Sequence, residues 1–291
     1  MPLIQLFRSF LPIFYYLIIM VTWQIQNGYF CAKLHQHMNK VIAPKFLNQQ
    51  TEITGIIENF DTTGTLFVNG KRNKIKTFEL NGITANVKSF RVPNLLNKIV
   101  YRFFRKSKAK RSYEFANILL EKGIGTPQPI AYFENYNALA FLDSYYISEQ
   151  LVADLTFREL VEIPDFPDHE NILRQFTNFS FLLHEKGVEF TDHSPGNTLI
   201  KNLGNGQYAF YLVDLNRMNF HDHMDFELRM ENLKRLTPKQ EMVAIMSNEY
   251  AKLYNKPEQE IFEVLWKKTA DFQAKFWRKR ALKKKLNFLK K

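Results

Sequence analysis

The chain has 291 residues, of which 45% are apolar and 24% are charged, and its formal net charge is +11. This composition is typical of a globular protein and excludes a disordered or fibrous chain. The length suits one large domain or two lobes that share an interface, and a core of that size needs no disulfide or metal. Cys31 is the only cysteine, which excludes a disulfide framework and a cysteine-ligated zinc site.

Residues 1–37 differ in composition from the rest of the chain. They contain two basic residues and no acidic one, and their most apolar run, from Phe10 to Trp23, has 14 residues. A membrane-spanning helix needs about 20 apolar residues. An uncleaved anchor, a cleaved signal peptide and a stretch outside the working protein all fit this segment. We favour the third interpretation, with Met38 as the first residue, because the composition from there onward is normal for a soluble domain.

The part of the chain that follows is predicted to be rich in strands. Short β-branched and aromatic runs between residues 64 and 90 predict a three-stranded antiparallel meander, with turns at Asn69-Gly70 and Asn81-Gly82. Residues 93–123 have a helical pattern that ends at Gly123. Residues 126–142 predict two further strands around a turn at 135–137.

The C-terminal part is predicted to be mainly helical. An apolar stripe from Ile172 to Leu183 indicates a helix that ends at Gly187. Further helical patterns cover residues 231–236, 239–254 and 258–277. We therefore predict an α+β protein with a small β-rich N-terminal lobe, residues 38–151, and a larger helical C-terminal lobe, residues 152–291.

The segment from Leu183 to Phe220 carries the residues with the most distinctive spacing. Asp192 lies in the loop after a helix, Asn197 follows five residues later and opens a short strand, and Asp214 lies in the next strand. If Asn205-Gly206 form a two-residue hairpin loop, Asn197 lies directly opposite Asp214, and a longer loop changes this register. Opposed side chains have Cβ atoms roughly 4.5–5.5 Å apart, so the two oxygens are expected to share Mg²⁺.

This arrangement resembles the catalytic centre of protein kinases. There, an Asp-x4-Asn loop supplies the base and one metal ligand, and a second Asp after a hairpin holds Mg²⁺. The resemblance implies that Asp192 accepts the proton of the acceptor hydroxyl, while Asn197 and Asp214 hold Mg²⁺. It also implies that Lys88, at the end of the third meander strand, holds the phosphates of ATP, and that Glu114 on the next helix pairs with Lys88. The adenine is expected near residues 143–151. Each of these residues alone is common in loops and on surfaces, so their order and spacing carry the prediction.

A more specific resemblance is to the Kdo and lipopolysaccharide-core kinase family. The segments that carry it are NVKSF (86–90), FFRKSKAKRSYEFA (103–116), GIGTPQPIAYFE (123–134), LHEKGVEFTDHSPGNTLI (183–200) and VDLNRM (213–218). The DHSPGN block is the most specific of them. The resemblance implies a phosphotransferase with an alcohol group as acceptor, which transfers the γ-phosphoryl group of ATP to a sugar hydroxyl of Kdo-lipid A or the inner core. It also implies a cytoplasmic location at the inner face of the inner membrane.

The sequence departs from ordinary protein kinases at three places. No GxGxxG precedes Lys88, so the backbone of the first turn, with Lys71 or Arg72, is expected to cover the phosphates. Phe190-Thr191 replace the usual His-Arg before the catalytic Asp, and no long activation segment follows. We therefore expect a kinase that needs no activation-loop phosphorylation. Asn216 replaces the glycine two residues after Asp214, and because Asn tolerates left-handed backbone angles, the turn is expected to survive.

Histidines near this segment allow structural interpretations as well as functional ones. His184, eight residues before Asp192, is expected to brace the catalytic loop by a hydrogen bond or to be an ordinary core histidine. For His193, within the loop, the same two interpretations remain. His221 and His223, with two nearby Asp residues, are interpreted as a solvated loop rather than a metal cluster.

Positive charge is concentrated in two stretches. Residues 98–111 contain seven basic residues and no acid, and residues 275–291 contain nine and no acid, interleaved with aromatic and aliphatic residues. Either stretch is a solubilising surface or a contact for an anionic membrane or a phosphorylated, lipid A-linked sugar. Nucleic acid is the least favoured partner, because no nucleic-acid-binding motif accompanies the charge. Two alternatives to the sugar kinase remain: a kinase for another small-molecule or protein acceptor, and a non-catalytic pseudokinase at the membrane surface.

Overall fold

The computed structural model describes residues 37–70, 73–90, 95–137, 140–163 and 165–288. The expectations for residues 1–36, and for Lys71 and Arg72, lie outside the described residues. The strands are β1 His37–Ile42, β2 Thr65–Asn69, β3 Asn73–Leu80, β4 Ile83–Phe90, β5 Pro129–Tyr136, β6 Phe141–Glu149, β7 Leu155–Thr156, β8 Val188–Phe190, β9 Thr198–Gly204, β10 Gln207–Leu212 and β11 Met218–Phe220. The α-helices are α1 Gln50–Glu58, α2 Leu95–Phe103, α3 Lys108–Glu121, α4 Phe157–Glu162, α5 His169–Glu185, α6 Phe226–Leu233, α7 Gln240–Leu253 and α8 Glu258–Phe288. Short 3₁₀ helices cover Pro44–Gln49 and Pro195–Asn197.

An antiparallel sheet forms the N-terminal lobe. Among the described strands its order is β1-β5-β6-β4-β3-β2. The predicted meander is confirmed as β2, β3 and β4, and the two predicted strands after it are confirmed as β5 and β6. Strand β1, which the sequence did not reveal, pairs with β5 at the edge of the sheet. Its short run HMNKVI lacks a regular alternation of apolar and polar residues, so its place depends on the pairing partner.

The predicted helix over residues 93–123 is two helices in the structure. Helix α2 ends at Phe103, and α3 begins at Lys108 after a non-helical connection. The break occurs because Ser107 has an extended backbone and its side chain accepts a hydrogen bond from the backbone N–H of Lys110, at 3.0 Å, as a helix N-cap. The predicted end of the helix is confirmed, since Gly123 adopts a left-handed φ of 67° just after α3.

Helices dominate the C-terminal lobe, as the sequence predicted. The apolar stripe of α5 packs with α6, α7 and the first half of α8 around buried residues that include Phe176, Met230, Met246 and Leu265. On one side of these helices, β9 and β10 form a hairpin that pairs with β7, while β8 pairs with β11. These two small sheets hold the loops that follow Phe190 and Leu212. The predicted α+β architecture, with a β-rich N-terminal part and a helical C-terminal part, is confirmed.

Helix α3 joins the two lobes. On one face Ala109 and Tyr113 belong to the apolar core of the sheet. On another face Ala116 and Leu119 pack into a second cluster, whose other members come from α5, β8, β10 and the residues after β10. One helix therefore fixes the position of the sheet relative to β8, β10 and the residues that follow them.

None of the helices in the described ranges is long and apolar enough to cross a membrane.

A buried lysine binds the main-chain oxygens that follow the C-terminal end of α1. The Nζ atom of Lys76 on β3 donates to the main-chain oxygens of Phe60, Asp61 and Thr63, at 2.7, 3.2 and 2.6 Å. These carbonyls lie just beyond α1, where the helix leaves acceptors without intrahelical partners. Lys76 also lies over the Phe60 ring.

We expect Lys76→Met to lower the free energy of unfolding by about 2–4 kcal/mol, because it leaves buried carbonyl oxygens without a donor. Urea denaturation monitored by circular dichroism measures this change. Lys74→Met is the matched control, since Lys74 lies on the same strand and makes a surface ion pair with Asp61, worth about 1 kcal/mol or less. An equal decrease in the free energy of unfolding of the two variants would contradict the role of Lys76.

Candidate functional site

A cavity of about 1120 Å³ lies between the lobes. The sheet contributes Lys88 and Asn86, the connection between the lobes contributes residues 148–154, and the C-terminal lobe contributes Asn197 and Asp214. The structure therefore brings Lys88, Asn197 and Asp214 to one cavity. The connection predicted to lie beside the adenine also lines it, and so do residues of the β2–β3 turn, Gly70 and Asn73 among them. The volume of about 1120 Å³ is slightly above the usual range for small-molecule sites.

Lys88 and Asp214 form an ion pair across the cavity. The Nζ atom of Lys88 lies 2.5 Å from Oδ1 of Asp214, although the residues are 126 positions apart in the chain. The side chain of Asn216 donates to the same oxygen, at 2.8 Å. Asp214 itself adopts the left-handed conformation, with a φ of 59°, so the turn does not require this conformation at Asn216. Asn216 instead supports the turn with its side-chain hydrogen bond.

The hairpin before Asp214 has a different register from the predicted one. Gln207 pairs with Gly204, as a two-residue loop at Asn205-Gly206 requires, but Tyr208 then pairs with Asn202. Leu203 is therefore an extra residue, a β-bulge, and every later pair shifts by one position. The expectation that Asn197 lies directly opposite Asp214 is wrong.

Three hydrogen bonds hold Asn197 at the cavity, one of them from its own backbone N–H to the main-chain oxygen of Ser194, at 2.9 Å. The main-chain oxygen of Asn197 accepts a bond from the backbone N–H of Val213, at 3.0 Å, and this places it beside the residue before Asp214. Its side-chain Nδ2 donates to the main-chain oxygen of Asp192, at 2.8 Å. The amide is therefore oriented by the catalytic loop, which leaves Oδ1 as its remaining acceptor.

Two arginines contact the carboxylate of Asp192. Nη1 of Arg235 lies 3.2 Å from Oδ1, and Nη1 of Arg217 lies 3.5 Å from Oδ2. The side chain of Asp192 is about one-third exposed at 32%, so an acceptor can still reach it. Neither arginine was predicted from the sequence. The position of Arg217, three residues after Asp214, was a signal that could have revealed it, whereas Arg235 lies in the turn after α6 with no distinctive spacing.

Glu114 does not reach Lys88 in the structure. Its carboxylate accepts hydrogen bonds from Nζ of Lys106, at 2.9 and 3.0 Å. The expected Lys88–Glu114 ion pair is therefore replaced by two separate pairs, Lys88 with Asp214 and Lys106 with Glu114. The cause is the helix break before α3, which places Lys106 within reach of the first turns of that helix. Glu114 is not among the residues that line the cavity.

A chain of hydrogen bonds links α5 and α7 to the end of β8, just before the loop that contains Asp192. Nδ1 of His184 lies 2.8 Å from the hydroxyl of Tyr250, and its Nε2 lies 3.3 Å from Oδ1 of Asn232. The side-chain Nδ2 of Asn232 then donates to the main-chain oxygen of Phe190, at 2.8 Å. His184 itself bonds Tyr250 and Asn232, and only Asn232 reaches the strand before the loop, so both interpretations of this buried histidine remain. A single neutral tautomer, protonated at Nε2, satisfies the whole chain.

His193, next to Asp192, is enclosed by apolar residues. Its ring packs against Phe176 and Phe190 with centroids 5.6 Å away in each case. Neither ring nitrogen makes a hydrogen bond within the described part of the chain. Burial lowers the pKa of His193 to about 4 and that of His184 to about 3, so both imidazoles are neutral at physiological pH.

Two side-chain oxygens at the cavity are suitable ligands for Mg²⁺. Lys88 and Asn216 both bond Oδ1 of Asp214, and Asn197 uses its Nδ2. Oδ2 of Asp214 and Oδ1 of Asn197 receive no hydrogen bond from the described residues. Two oxygen ligands with room for phosphate groups suit Mg²⁺, which is usually held by one or two protein oxygens and by the phosphates of a substrate. No group of three or more His, Cys, Asp or Glu residues that could hold a metal occurs in the described ranges.

Comparisons with known proteins support the fold assignment. No family model matches the chain, and no curated protein matches it. Among solved structures 1513 chains match, which indicates that the fold is widespread and does not by itself select a function. One of them is WaaP in complex with acyl carrier protein, with a TM-score of 0.57 and 17% identity over 81% of this chain and 97% of that chain. The predicted protein-kinase-like fold is confirmed.

The two buried histidines predict a pH-dependent stability. Their pKa is about 6.5 when unfolded, so between about pH 4 and 6.5 the unfolded chain binds more protons than the folded one. The free energy of unfolding should therefore fall as the pH drops below about 6.5, by about 1.4 kcal/mol per pH unit for each histidine. Urea denaturation at several pH values measures this slope.

Two variants separate these histidines from other titrating groups. We expect His184→Gln to reduce the slope to about half, since one of the two buried imidazoles is gone. His223→Gln, which replaces an exposed histidine, should leave the slope unchanged. A wild-type stability that is the same at about pH 5 and about pH 7 would contradict the prediction.

Proposed function

We propose that this protein is an ATP- and Mg²⁺-dependent kinase that phosphorylates a sugar hydroxyl of Kdo-lipid A or the inner lipopolysaccharide core. The observation that carries the proposal is the convergence of Lys88, Asn197 and Asp214 on one cavity between the lobes, with Asp192 on the adjoining loop. Residues of these types, in this order along the chain, are the parts that phosphoryl transfer requires.

Each side chain has a separate task in this proposal. Asp192 would accept the hydrogen bond of the acceptor hydroxyl and take its proton. Lys88 would bind the phosphates of the nucleotide, and Asn197 and Asp214 would hold Mg²⁺ through Oδ1 and Oδ2. The ion neutralises phosphate charge when it is bound. Because the Asn197 amide also bonds the main chain of Asp192, the metal ligand and the base are oriented together.

The acceptor class is supported by the family resemblance and by charge. The segments similar to Kdo and lipopolysaccharide-core kinases include residues 183–200, of which Gly196, Asn197 and Leu199 line the cavity. An acceptor that carries phosphates and carboxylates also suits the excess of basic residues over residues 98–111. A cytoplasmic position at the inner face of the inner membrane follows from this acceptor.

Transfer of ³²P from labelled ATP with Mg²⁺ tests the proposal, with Kdo-lipid A and a generic protein offered in parallel to the full, unphosphorylated chain. We expect label in the lipid. Asp192→Asn should lower the rate by about 10²–10⁴-fold, because it removes the proton acceptor. Asp214→Ala should abolish transfer, whereas Asp222→Asn, which changes an exposed aspartate, should leave the rate unchanged.

Other outcomes separate the alternatives. Label in the protein acceptor alone would show that the acceptor is not the lipid-linked sugar. Label in neither acceptor, with ATP still bound, would favour a pseudokinase. A loss of about tenfold or less in Asp192→Asn would remove Asp192 from the role of base. A requirement for prior phosphorylation would overturn the expectation drawn from Phe190-Thr191.

We also propose that the distal half of α8 binds an anionic membrane surface. From Ala274 to Leu286 the helix is almost entirely exposed, and it presents large apolar side chains that include Phe276, Trp277 and Leu282. Basic residues lie between them. Apolar residues interleaved with Lys and Arg are typical of segments that lie in the interface of an anionic bilayer.

Vesicle co-sedimentation tests this surface, with vesicles that contain phosphatidylglycerol compared with neutral phosphatidylcholine. Each lysine near an anionic surface contributes about 1 kcal/mol, so replacing Lys279, Lys283 and Lys284 by Gln should weaken binding by about 10²-fold. The matched control replaces the exposed Lys45, Lys201 and Lys252 by Gln. Equal weakening in the two triple variants, or equal binding to both vesicle types, would contradict the assignment.

A further inference from the structure

A pair of side-chain amides lies on the wall of the cavity between the lobes. Asn86, on β4, and Gln150, just after β6, both line that cavity, and Nδ2 of Asn86 donates to Oε1 of Gln150 at 2.6 Å. Asn86 and Lys88 are on the same face of β4, because side chains alternate along a strand, and their Cα atoms are about 6.5 Å apart. Asn86 pairs with Ser148, whereas Lys88 pairs with Tyr146. Asn86 is therefore nearer the connection between the lobes, on the side of the cavity where the base of a nucleotide is expected.

The orientation of both amides follows from one main-chain carbonyl. Nε2 of Gln150 donates to the main-chain oxygen of Leu151, at 3.1 Å. A carbonyl oxygen can only accept a hydrogen bond, so the NH₂ group of Gln150 must face Leu151 and its oxygen must face Asn86. The group of Asn86 that meets this oxygen must then be its own NH₂ group. Oδ1 of Asn86 is left as an acceptor, and it receives no hydrogen bond from the described residues.

Two main-chain donors at the start of the connection are used within the protein. The backbone N–H of Glu149 donates to the main-chain oxygen of Gln128, at 2.9 Å. The backbone N–H of Gln150 donates to the main-chain oxygen of Thr84, at 2.7 Å. These two N–H groups are therefore not free to bind the edge of a base, whereas the acceptor of Asn86 is.

Apolar side chains from both lobes line the same cavity. The sheet contributes Val68 and Ile75, and the C-terminal lobe contributes Leu199 and Leu212. Ligand sites are typically apolar, with a few polar groups that fix the orientation of the ligand. The cavity therefore offers apolar contacts to the faces of a flat heteroaromatic base and a hydrogen-bond acceptor to its edge.

We propose that Oδ1 of Asn86 accepts a hydrogen bond from the exocyclic amino group of adenine and so selects ATP over GTP. Guanine carries a carbonyl oxygen at the position of that amino group. Two acceptors that face each other both stay unpaired, which weakens the binding of guanine. Gln150 is the positioning residue, because it prevents the Asn86 amide from turning its NH₂ group toward the base. This inference rests on the proposed function, in which Lys88 binds the phosphates of the nucleotide.

Isothermal titration calorimetry with Mg²⁺ tests this assignment without requiring catalysis. The probes are ATP, GTP and inosine triphosphate, which has the carbonyl oxygen of guanine but lacks its amino group. We expect the full chain to bind ATP roughly ten- to hundredfold more tightly than either of the other two nucleotides. Asn86→Leu removes the acceptor from a side chain of similar size. It should weaken the binding of ATP and lower its preference over GTP to about threefold or less.

Variants of Gln150 test how the Asn86 amide is oriented. Gln150→Leu removes the acceptor that holds this amide, so the amide can turn either way and the preference for ATP should fall to about threefold or less. Gln150→Glu keeps an acceptor at this position and should retain the preference. Asn39→Leu is the matched control and should also retain it. Asn39 lies on β1 in the same sheet, donates to the side chain of Glu134 and is not among the residues that line the cavity.

Several results would overturn the assignment. They are equal binding of ATP and GTP by the unsubstituted chain, an unchanged preference in Asn86→Leu, and an equal loss of preference in Asn39→Leu. Tight binding of inosine triphosphate together with weak binding of GTP would also overturn it, because the additional amino group of guanine would then be the basis of the discrimination. An unchanged preference in Gln150→Leu, or its loss in Gln150→Glu, would reject the positioning role of Gln150.

The proposed function and the selection of the base fail in different ways. A preference for ATP that depends on Asn86, without phosphoryl transfer to any acceptor, would support the selection and reject the kinase. Phosphoryl transfer to Kdo-lipid A with equal kcat/KM for ATP and GTP would support the kinase and reject the role of Asn86. No binding of any of the three nucleotides would reject both.

Discussion

The burial of helix α3 on two sides is the constraint on which the rest of the molecule depends. Ala109 and Tyr113 hold it to the sheet, while Ala116 and Leu119 hold it to the strands and helix that carry the catalytic segments. Close-packed apolar surfaces of this kind allow little independent movement. The separation between Lys88 on the sheet and Asp214 in the other lobe is therefore set by packing at α3.

Cations balance both acidic residues of the site in the structure. Lys88 and Asn216 hold Asp214, and Arg217 and Arg235 hold Asp192. These partners fix the positions of both carboxylates. The same partners are suited to the ligands of a phosphoryl transfer, because phosphate oxygens compete for a lysine or an arginine as well as a carboxylate does.

Much of the fold and of the site could be predicted from local patterns. Short β-branched and aromatic runs between Asn-Gly turns correctly predicted the meander of β2, β3 and β4. The apolar stripe from Ile172 to Leu183 correctly predicted helix α5. The break before α3 was missed because it depends on one side chain. Ser107 accepts a hydrogen bond from the backbone N–H of Lys110, which has no partner within the first turn of the helix. Strand β1 was missed because it gains its hydrogen bonds from β5, a strand about 95 residues away.

The order and residue types of the candidate site can be seen in the sequence alone: a lysine on a strand, Asp192 and Asn197 five residues apart, and Asp214 after a hairpin. Which of these groups are in contact depends on the tertiary packing. The bulge at Leu203 shifts the hairpin register by one residue. Glu114 forms an ion pair with Lys106 instead of Lys88. The arginines around Asp192 come from separate elements, so no local spacing records them. Ion pairs across lobes depend on packing between distant segments, and a local pattern carries no information about that packing.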